Sequence, residues 1–296
     1  MAGQGIKLIT FDAYLTLFKP VGSVSLQYAE EAGKLGVQIT KTAISQHYGP
    51  VYRNHLQQAP LYGRHLGMST RSWWEKTIYE IFITAGAVKK DLDPVYNKLF
   101  NILWVRFTTA EGYTVFPDVP DTLAELKKRG FKMGVVSNTD DTLEFMLKDL
   151  NLTQYFDFIL PSCVVGYDKP DPRIYKAALE IAGGNIRPDE TLHVGDDIET
   201  DFHGPRNAGF RSTLLKRVYN DAVTEFVSEA KLSATEAAAA EISKQNASIP
   251  NSIASLNELC DILSDCQRQP STPTPSATTT APINTPSSTS TVSVPV

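Results

Sequence analysis

Cysteine is scarce. The 296 residues contain three, Cys163, Cys260 and Cys266, at spacings that suit neither a zinc site nor a disulfide framework. Reduced thiols in an intracellular protein are expected. Long apolar runs are lacking too, against the roughly 20 residues a bilayer-spanning helix needs. Residues 1–10 hold one lysine and no apolar stretch with a small-residue cleavage site, so no secretory signal is legible. The triplets starting at Asn151 and Asn246 are therefore taken as chance matches to the glycosylation pattern. Positive charge is in deficit: 28 Lys and Arg against 33 Asp and Glu give a net charge of −5 and a pI near 5.6. That argues against a dedicated nucleic-acid binder. What is present is enough for a core: 42% apolar and 21% charged residues exclude a wholly disordered chain. The length suggests two units at roughly 150 residues each. A soluble cytoplasmic protein, compatible with nuclear residence, is the resulting expectation, with no membrane or nucleic-acid partner.

Composition shifts after Gln267. From Pro270 to Val296 the chain is mostly proline, serine and threonine, with no aromatic or charged residue. Such a segment cannot offset an ordering entropy of roughly 1–2 kcal/mol per residue, so residues 267–296 are predicted to be a disordered tail. Residues 220–247, rich in alanine, have helix propensity but a poor apolar face and read as a peripheral insertion. Elsewhere the periodicity divides the chain. An apolar run over 7–11 ends at Asp12. Beyond Phe18 the pattern is helical to about Phe107, with few strand candidates and helices expected from Val24, from Ser72 and over Leu92–Phe107. From Val119 helices and strands alternate: helix to Arg129 stopped by Gly130, strand Phe131–Val136, helix Asp141–Asp149, strand Phe156–Leu160, helix Pro172–Ala182, strands Thr191–Val194 and Arg211–Leu215, and a last helix from Ile253. This alternation predicts an α/β, doubly wound parallel sheet, Rossmann-like, formed by 1–19 and 113–266. Residues 20–112 would be an inserted helical cap.

Sites in such sheets lie outside the carboxyl ends of the strands, and four strand ends hold polar residues. Asp12 could be a nucleophile, a metal ligand or a helix cap. Thr16 could donate to an anion or only close a turn. Ser137 and Asn138 suit an oxyanion or phosphate, or a simple N-cap. Lys169, in the turn set by Pro170 and Pro172, could neutralise a nucleophile and a transferring group or lie on the surface. Tyr175 would pack in the core. Asp196, Asp197 and Asp201 place three carboxylates within six positions, which calls for a cation unless the turn is solvated; magnesium prefers oxygen ligands of this kind. In the helical stretch Arg53, His55, Arg64, His65, Arg71, Trp73 and Trp74 are polar or aromatic candidates for contact with a substrate, an arginine being suited to clamp an anion. None merits a site assignment on the sequence.

Each signal is modest alone, but their order resembles the haloacid dehalogenase superfamily. Asp12-Ala13-Tyr14-Leu15-Thr16 matches its first motif, Ser137 its second, Lys169 its third, and Gly195-Asp196-Asp197 with Asp201 its fourth. The likeness spans roughly residues 5–265. More narrowly, KPDPRIY, HVGDD and Thr70-Arg71-Ser72-Trp73-Trp74 resemble the haloacid dehalogenase-like hydrolase domain-containing protein three group. The resemblance implies an aspartyl nucleophile at Asp12 and a Mg2+ held by Asp12, the backbone carbonyl of Tyr14, and Asp196 with Asp197 or Asp201. Thr16, Ser137, Asn138 and Lys169 would complete the catalytic set, acting on a small, anionic substrate.

Position 14 departs from the phosphatase pattern, which has a second aspartate there as general acid and base. A phenol of pKa near 10 replaces it poorly, although its carbonyl could still reach a metal. Asp-Ala-Tyr with Thr16, and Lys169 with Tyr175, are also similar to the superfamily's metal-free dehalogenases. Those usually carry glycine at the place of Leu15 and Ser-Ser-Asn at the place of Gly195-Asp196-Asp197. Three expectations follow: a magnesium-dependent hydrolase of small phosphorylated compounds, slow or with an unusual proton donor; a carbon–halogen hydrolase; or a catalytically impaired binding protein. Nothing in the sequence sets the oligomeric state.

Overall fold

The computed structural model describes residues 5–217 and 252–267. The alanine-rich stretch and the Ser/Thr/Pro-rich tail lie outside the described residues. Eight strands occur among them: β1 (Leu8–Phe11), β2 (Phe18–Pro20), β3 (Tyr113–Val115), β4 (Lys132–Ser137), β5 (Phe158–Pro161), β6 (Thr191–Gly195), β7 (Arg211–Leu215) and β8 (Ser252–Ile253). Six form one sheet in the order β5-β4-β1-β6-β7-β8, every neighbouring pair parallel. The apolar runs of β1, β4 and β6 are explained by burial on both faces. Alternation along each strand sends Ile9, Phe11, Met133, Val135, Leu192 and Val194 into one core and Val136 into another.

Helices cover both faces. Helix Val119–Lys128 buries Val119, Thr122, Leu123 and Leu126, the i, i+3, i+4, i+7 stripe of an amphipathic helix, against the first core. Helix Pro172–Ala182 starts on an Asp171 cap and turns Ile174, Tyr175, Ala178 and Ala182 inward, toward Val136 and Phe210 on the opposite face. The result is a doubly wound α/β core. Because β4 and β6 flank β1, the chain changes direction beside the end of β1, where a crevice opens.

Between β2 and β3 lies the helical cap, chiefly helices Val24–Lys34, Lys41–Gln58, Thr70–Thr84 and Tyr96–Thr108. It packs around a separate cluster containing Tyr28, Ile44, Ile78, Phe82, Leu99 and Leu103. Ser23, Thr40 and Ser69 cap three of its helices through their hydroxyls.

Three local expectations change. β2 pairs antiparallel with β3, Phe18 opposite Val115 and Pro20 opposite Tyr113; three-residue strands are too short to register as a period. The helix expected over Leu92–Phe107 is broken into Lys89–Leu92 and Tyr96–Thr108, because Pro94 has no N–H to continue the ladder. The last helix begins at Glu258 rather than Ile253. Ile253 instead pairs with Leu215, and the Leu256 N–H and Ser255 hydroxyl donate to Asp118, each at 2.8 Å, which holds the chain out of helix. Among the described residues no helix is long and apolar enough to cross a membrane.

Candidate active site

Asp12 follows β1, Ser137 ends β4, and Asp196 follows Gly195 at the end of β6, so three adjacent strands aim them at one crevice. Lys169 arrives from the loop before helix Pro172–Ala182. Its Nζ donates to Asp12 Oδ1 at 2.7 Å and to Asp201 Oδ1 at 2.6 Å, and all three side chains are buried. Oxygen atoms of Asp12, Asp196 and Asp201 lie within 4.8 Å of one another. Gly195 permits this convergence, since a Cβ there would collide with the Asp201 carboxylate.

Two residues hold the lysine and its partner in place. Asn138 grips the Lys169 backbone from both sides, accepting from its N–H at 2.6 Å and donating to its carbonyl at 2.8 Å. His193, on β6 opposite Thr10 of β1, places Nε2 3.1 Å from Asp201 Oδ1 and Nδ1 2.8 Å from the Thr10 hydroxyl. Burial lowers the His193 pKa, which keeps the imidazole neutral. Nε2 then donates to the carboxylate and Nδ1 accepts from the threonine. Asp201 Oδ2 also accepts from the Asp197 N–H at 3.0 Å.

Burial would raise the Asp201 carboxyl, but Lys169 and His193 outweigh it and hold it well below the usual range. Burial pushes Asp12 up to about 6; Lys169 opposes this, and Asp201 and Asp196 add to it. For Lys169, burial is overcome by the two carboxylates and the ammonium stays protonated. Asp12 is thus held against a buried, protonated lysine, which favours its anionic form.

Tyr14 is different. Its ring meets Phe18 and Tyr113 edge-on, with centroids at 4.9 and 5.7 Å, and its hydroxyl reaches Met146 Sδ at 3.7 Å. Burial, then Asp140, raises this phenol far above its ordinary value, so it neither gives nor takes a proton readily near neutrality. The next residue, Leu15, has φ +60°, a left-handed conformation that glycine adopts more easily.

The other expected residues separate. Asp197 caps the π-helical turn Ile198–His203 through Oδ1, which accepts from the Glu199 and Thr200 N–H groups at 3.0 Å. Thr16 is buried, its hydroxyl without a hydrogen-bond partner among the described residues, and it does not line the crevice. Tyr175 is core: its hydroxyl donates to the Thr200 carbonyl at 2.5 Å and its ring meets His193 edge-on.

The crevice is a cavity of about 360 Å³ between core and cap. Asp12, Ser137, Lys169 and Asp196 line one side; Tyr52, Tyr62 and Trp74 help to line the other. Of the seven cap candidates only Trp74 reaches it. Trp73, one position earlier, is buried in a cap cluster with Tyr62. Sequence reasoning missed His193, Asp140, Tyr52 and Tyr62. His193 looked like strand filling, and the two tyrosines gave no signal before the helices were placed.

A parallel sheet bearing an aspartate after its first strand, a lysine bridging two carboxylates and a cap over the strand ends define a haloacid dehalogenase-type hydrolase core. The chain belongs to this family: the family model for haloacid dehalogenase-like hydrolase matches residues 6–209. It is similar to the human haloacid dehalogenase-like hydrolase domain-containing protein 3, 33% identical over 211 residues, which is 71% of this chain and 82% of that protein. Among solved structures, the L-2-haloacid dehalogenase of Xanthobacter autotrophicus superposes with a TM-score of 0.57 at 21% identity, covering 88% of this chain and 98% of that one. The Bacillus subtilis protein YfnB, bound to magnesium, does so with 0.57 at 16% identity, covering 88% and 100%. These likenesses concern the fold, and they fall on proteins described in both ways, as dehalogenase and as magnesium-bound.

Proposed function

We propose that the protein is a magnesium-dependent hydrolase of small phosphate monoesters, with Asp12 as nucleophile. The observation that carries this reading is the convergence of Asp12, Asp196 and Asp201 within 4.8 Å around one lysine. Three carboxylates and one ammonium leave two excess negative charges, which would repel a phosphate dianion. A hard divalent cation suits both the charge and the all-oxygen donor set. Asp12, Asp196 and the Tyr14 carbonyl would hold it; Asp201, engaged by Lys169, His193 and the Asp197 N–H, acts from behind, and Asp197 serves as a cap. When bound, magnesium would neutralise charge on the phosphoryl oxygens and let the dianion approach the carboxylate.

The protein's own part is orientation and nucleophilic attack. Asp12 is fixed through one oxygen by Lys169, whose charge favours the carboxylate form. Its carboxylate attacks phosphorus, an aspartyl–phosphate bond forms, the bond to the alcohol oxygen breaks, and water later releases phosphate from Asp12. Lys169 offsets charge throughout, Asn138 positions Lys169, and Ser137 offers a hydroxyl to a phosphoryl oxygen. No carboxyl group stands at position 14 to protonate the departing alkoxide, and the Tyr14 phenol is held protonated. General acid–base help of roughly 10²–10⁴-fold is therefore reduced, and turnover of esters with poor leaving groups is slow.

A panel of phosphate monoesters, assayed with magnesium and with chelator, tests the reading. Activity should require magnesium, fall at least about 10³-fold in Asp12→Asn, and need far more magnesium in Asp196→Asn. The panel includes a 2-haloacid. Halide release that persists in chelator, with no phosphate release, would replace this reading with carbon–halogen hydrolysis.

A further inference from the structure

We propose that the cavity facing Asp12 selects phosphate esters whose alcohol portion carries an uncharged aromatic ring; this rests on the hydrolase reading above for the identity of the ester end. The cap side is built from Tyr48 and Tyr52 of helix Lys41–Gln58, Tyr62 of the following turn, Trp74 of helix Thr70–Thr84, and Trp104 and Phe107 of helix Tyr96–Thr108. Tyr48, Tyr52 and Trp74 form a run of near-parallel rings, with centroids 6.3 Å apart at 15° and 5.6 Å apart at 25°. A wall of that kind offers stacking and edge-to-face contacts to a flat apolar group.

Three further observations narrow the class. First, the polar tips of the central rings already meet protein groups. The Tyr52 and Tyr62 hydroxyls lie 3.1 Å apart, and Trp74 Nε1 donates to Asp140 Oδ2 at 2.8 Å. The indole N–H and one of the two phenol hydrogens are thereby used within the protein, and most of what these rings offer an occupant is their carbon framework. Second, among the described residues lining the cavity Lys169 is the sole basic side chain, and it is held by Asp12 and Asp201. Arg64 instead faces Asp141 at 3.8 Å, and Arg71 lies over Phe100 and Trp104 at 4.9 and 5.2 Å outside the cavity lining. A second anionic group on the substrate finds no partner there. Third, the one carboxylate in the aromatic wall, Asp140, accepts three hydrogen bonds, from Trp74 and from the Thr142 N–H and hydroxyl at 2.9 and 2.6 Å. It is satisfied by the protein, which disfavours a cationic head group as the intended occupant.

The test separates ring recognition from leaving-group chemistry by using non-hydrolysable phosphonates and alkyl esters. Binding of benzylphosphonate, ethylphosphonate, phosphonoacetate and 2-aminoethylphosphonate to the full chain with magnesium is followed by calorimetry. Benzylphosphonate should bind about tenfold more tightly than ethylphosphonate, the size expected of one or two aromatic contacts. In Trp74→Leu or Tyr52→Leu, each checked for folding by circular dichroism, that advantage should shrink to less than about threefold. Equal affinity for the benzyl and ethyl compounds, tightest binding of the carboxylated or amino compound, or no binding of any phosphonate overturns the proposal. Turnover of benzyl phosphate against ethyl phosphate, two alkyl esters, is then compared. If benzylphosphonate is preferred but neither these esters nor an activated aryl phosphate is cleaved, the hydrolase reading fails and the recognition stands.

Discussion

Tyr14 stands where the proposed chemistry would want a proton donor. Its hydroxyl is engaged by Met146 and Tyr113 and its ring sits edge-on between Phe18 and Tyr113, so the phenol is occupied by neighbours other than the carboxylates. Tyr14→Phe should therefore leave activity within about twofold of wild type and the thermal midpoint nearly unchanged. A drop of tenfold or more would make the phenol a participant. Tyr14→Asp removes the ring from an aromatic nest and adds a charge, at a cost of about 3 kcal/mol of stability. It should nevertheless raise turnover of alkyl phosphates, by at least about tenfold where loss of the alkoxide limits the rate, and raise activated aryl phosphates less. Purified variant assayed on both ester types, beside a denaturant titration, checks both halves. Asp12, Asp196 and Lys169 were legible because each lies within a few residues of an apolar strand end or a Pro-fixed turn, where local pattern dictates placement. His193 was not: it alternates with apolar neighbours like any strand residue, and only pairing with β1 shows that Thr10 and Asp201 flank it.

Among the elements, the second cluster of long-range polar contacts lies at the opposite end of helix Val119–Lys128 from Gly130. Asp118 accepts from Arg217 Nη1 at 2.9 and 3.0 Å and from Ser255 and Leu256. One carboxylate thereby ties the start of that helix, the segment after β7 and the approach to the last helix. Burial would raise Asp118, but the hydrogen bonds from Arg217, Leu256 and Ser255 prevail and its pKa lies below the ordinary 3.8. A carboxyl depressed in the folded state contributes stability that is complete above its unfolded pKa and is lost as pH falls through the folded value. Asp118→Asn should accordingly be less stable than wild type by roughly 1–2 kcal/mol at pH 7, since the half-buried Arg217 loses its anion, and the two stability curves should draw together as pH falls below about 4. Urea titrations from pH 7 to pH 2.5 measure this; a constant gap would remove the carboxylate's charge from the account. None of these contacts was visible in the sequence, where Asp118 follows a proline in an ordinary turn. The cap was legible only as helices. Trp73 and Trp74 are adjacent, and about 100° of helical rotation sends one into the cap core and the other into the cavity. Which is which depends on how three helices pack, and periodicity does not carry that.

For the whole molecule, a cation held by Asp12 and Asp196 would bind the folded chain and not the unfolded one. Magnesium at about ten times its dissociation constant should then add about 1.4 kcal/mol and raise the thermal midpoint by roughly 3–5 °C, with the increment lost in Asp196→Asn. A midpoint indifferent to magnesium in both proteins would count against the metal. The fold class was readable from alternation alone, because βα units repeat their signal many times across the chain. Chain connectivity carries a different consequence. The cap leaves the core through β2 and returns through β3, two paired strands whose backbones run about 4.8 Å apart. The stretch between Pro20 and Tyr113 contributes no strand to the large sheet, so a change of its length leaves the order of that sheet untouched. The carboxylates and the lysine stay on one side of that junction and the aromatic wall on the other. What faces the carboxylates can thus change through one contiguous stretch of chain, while Asp12, Lys169 and Asp196 keep their places on the sheet.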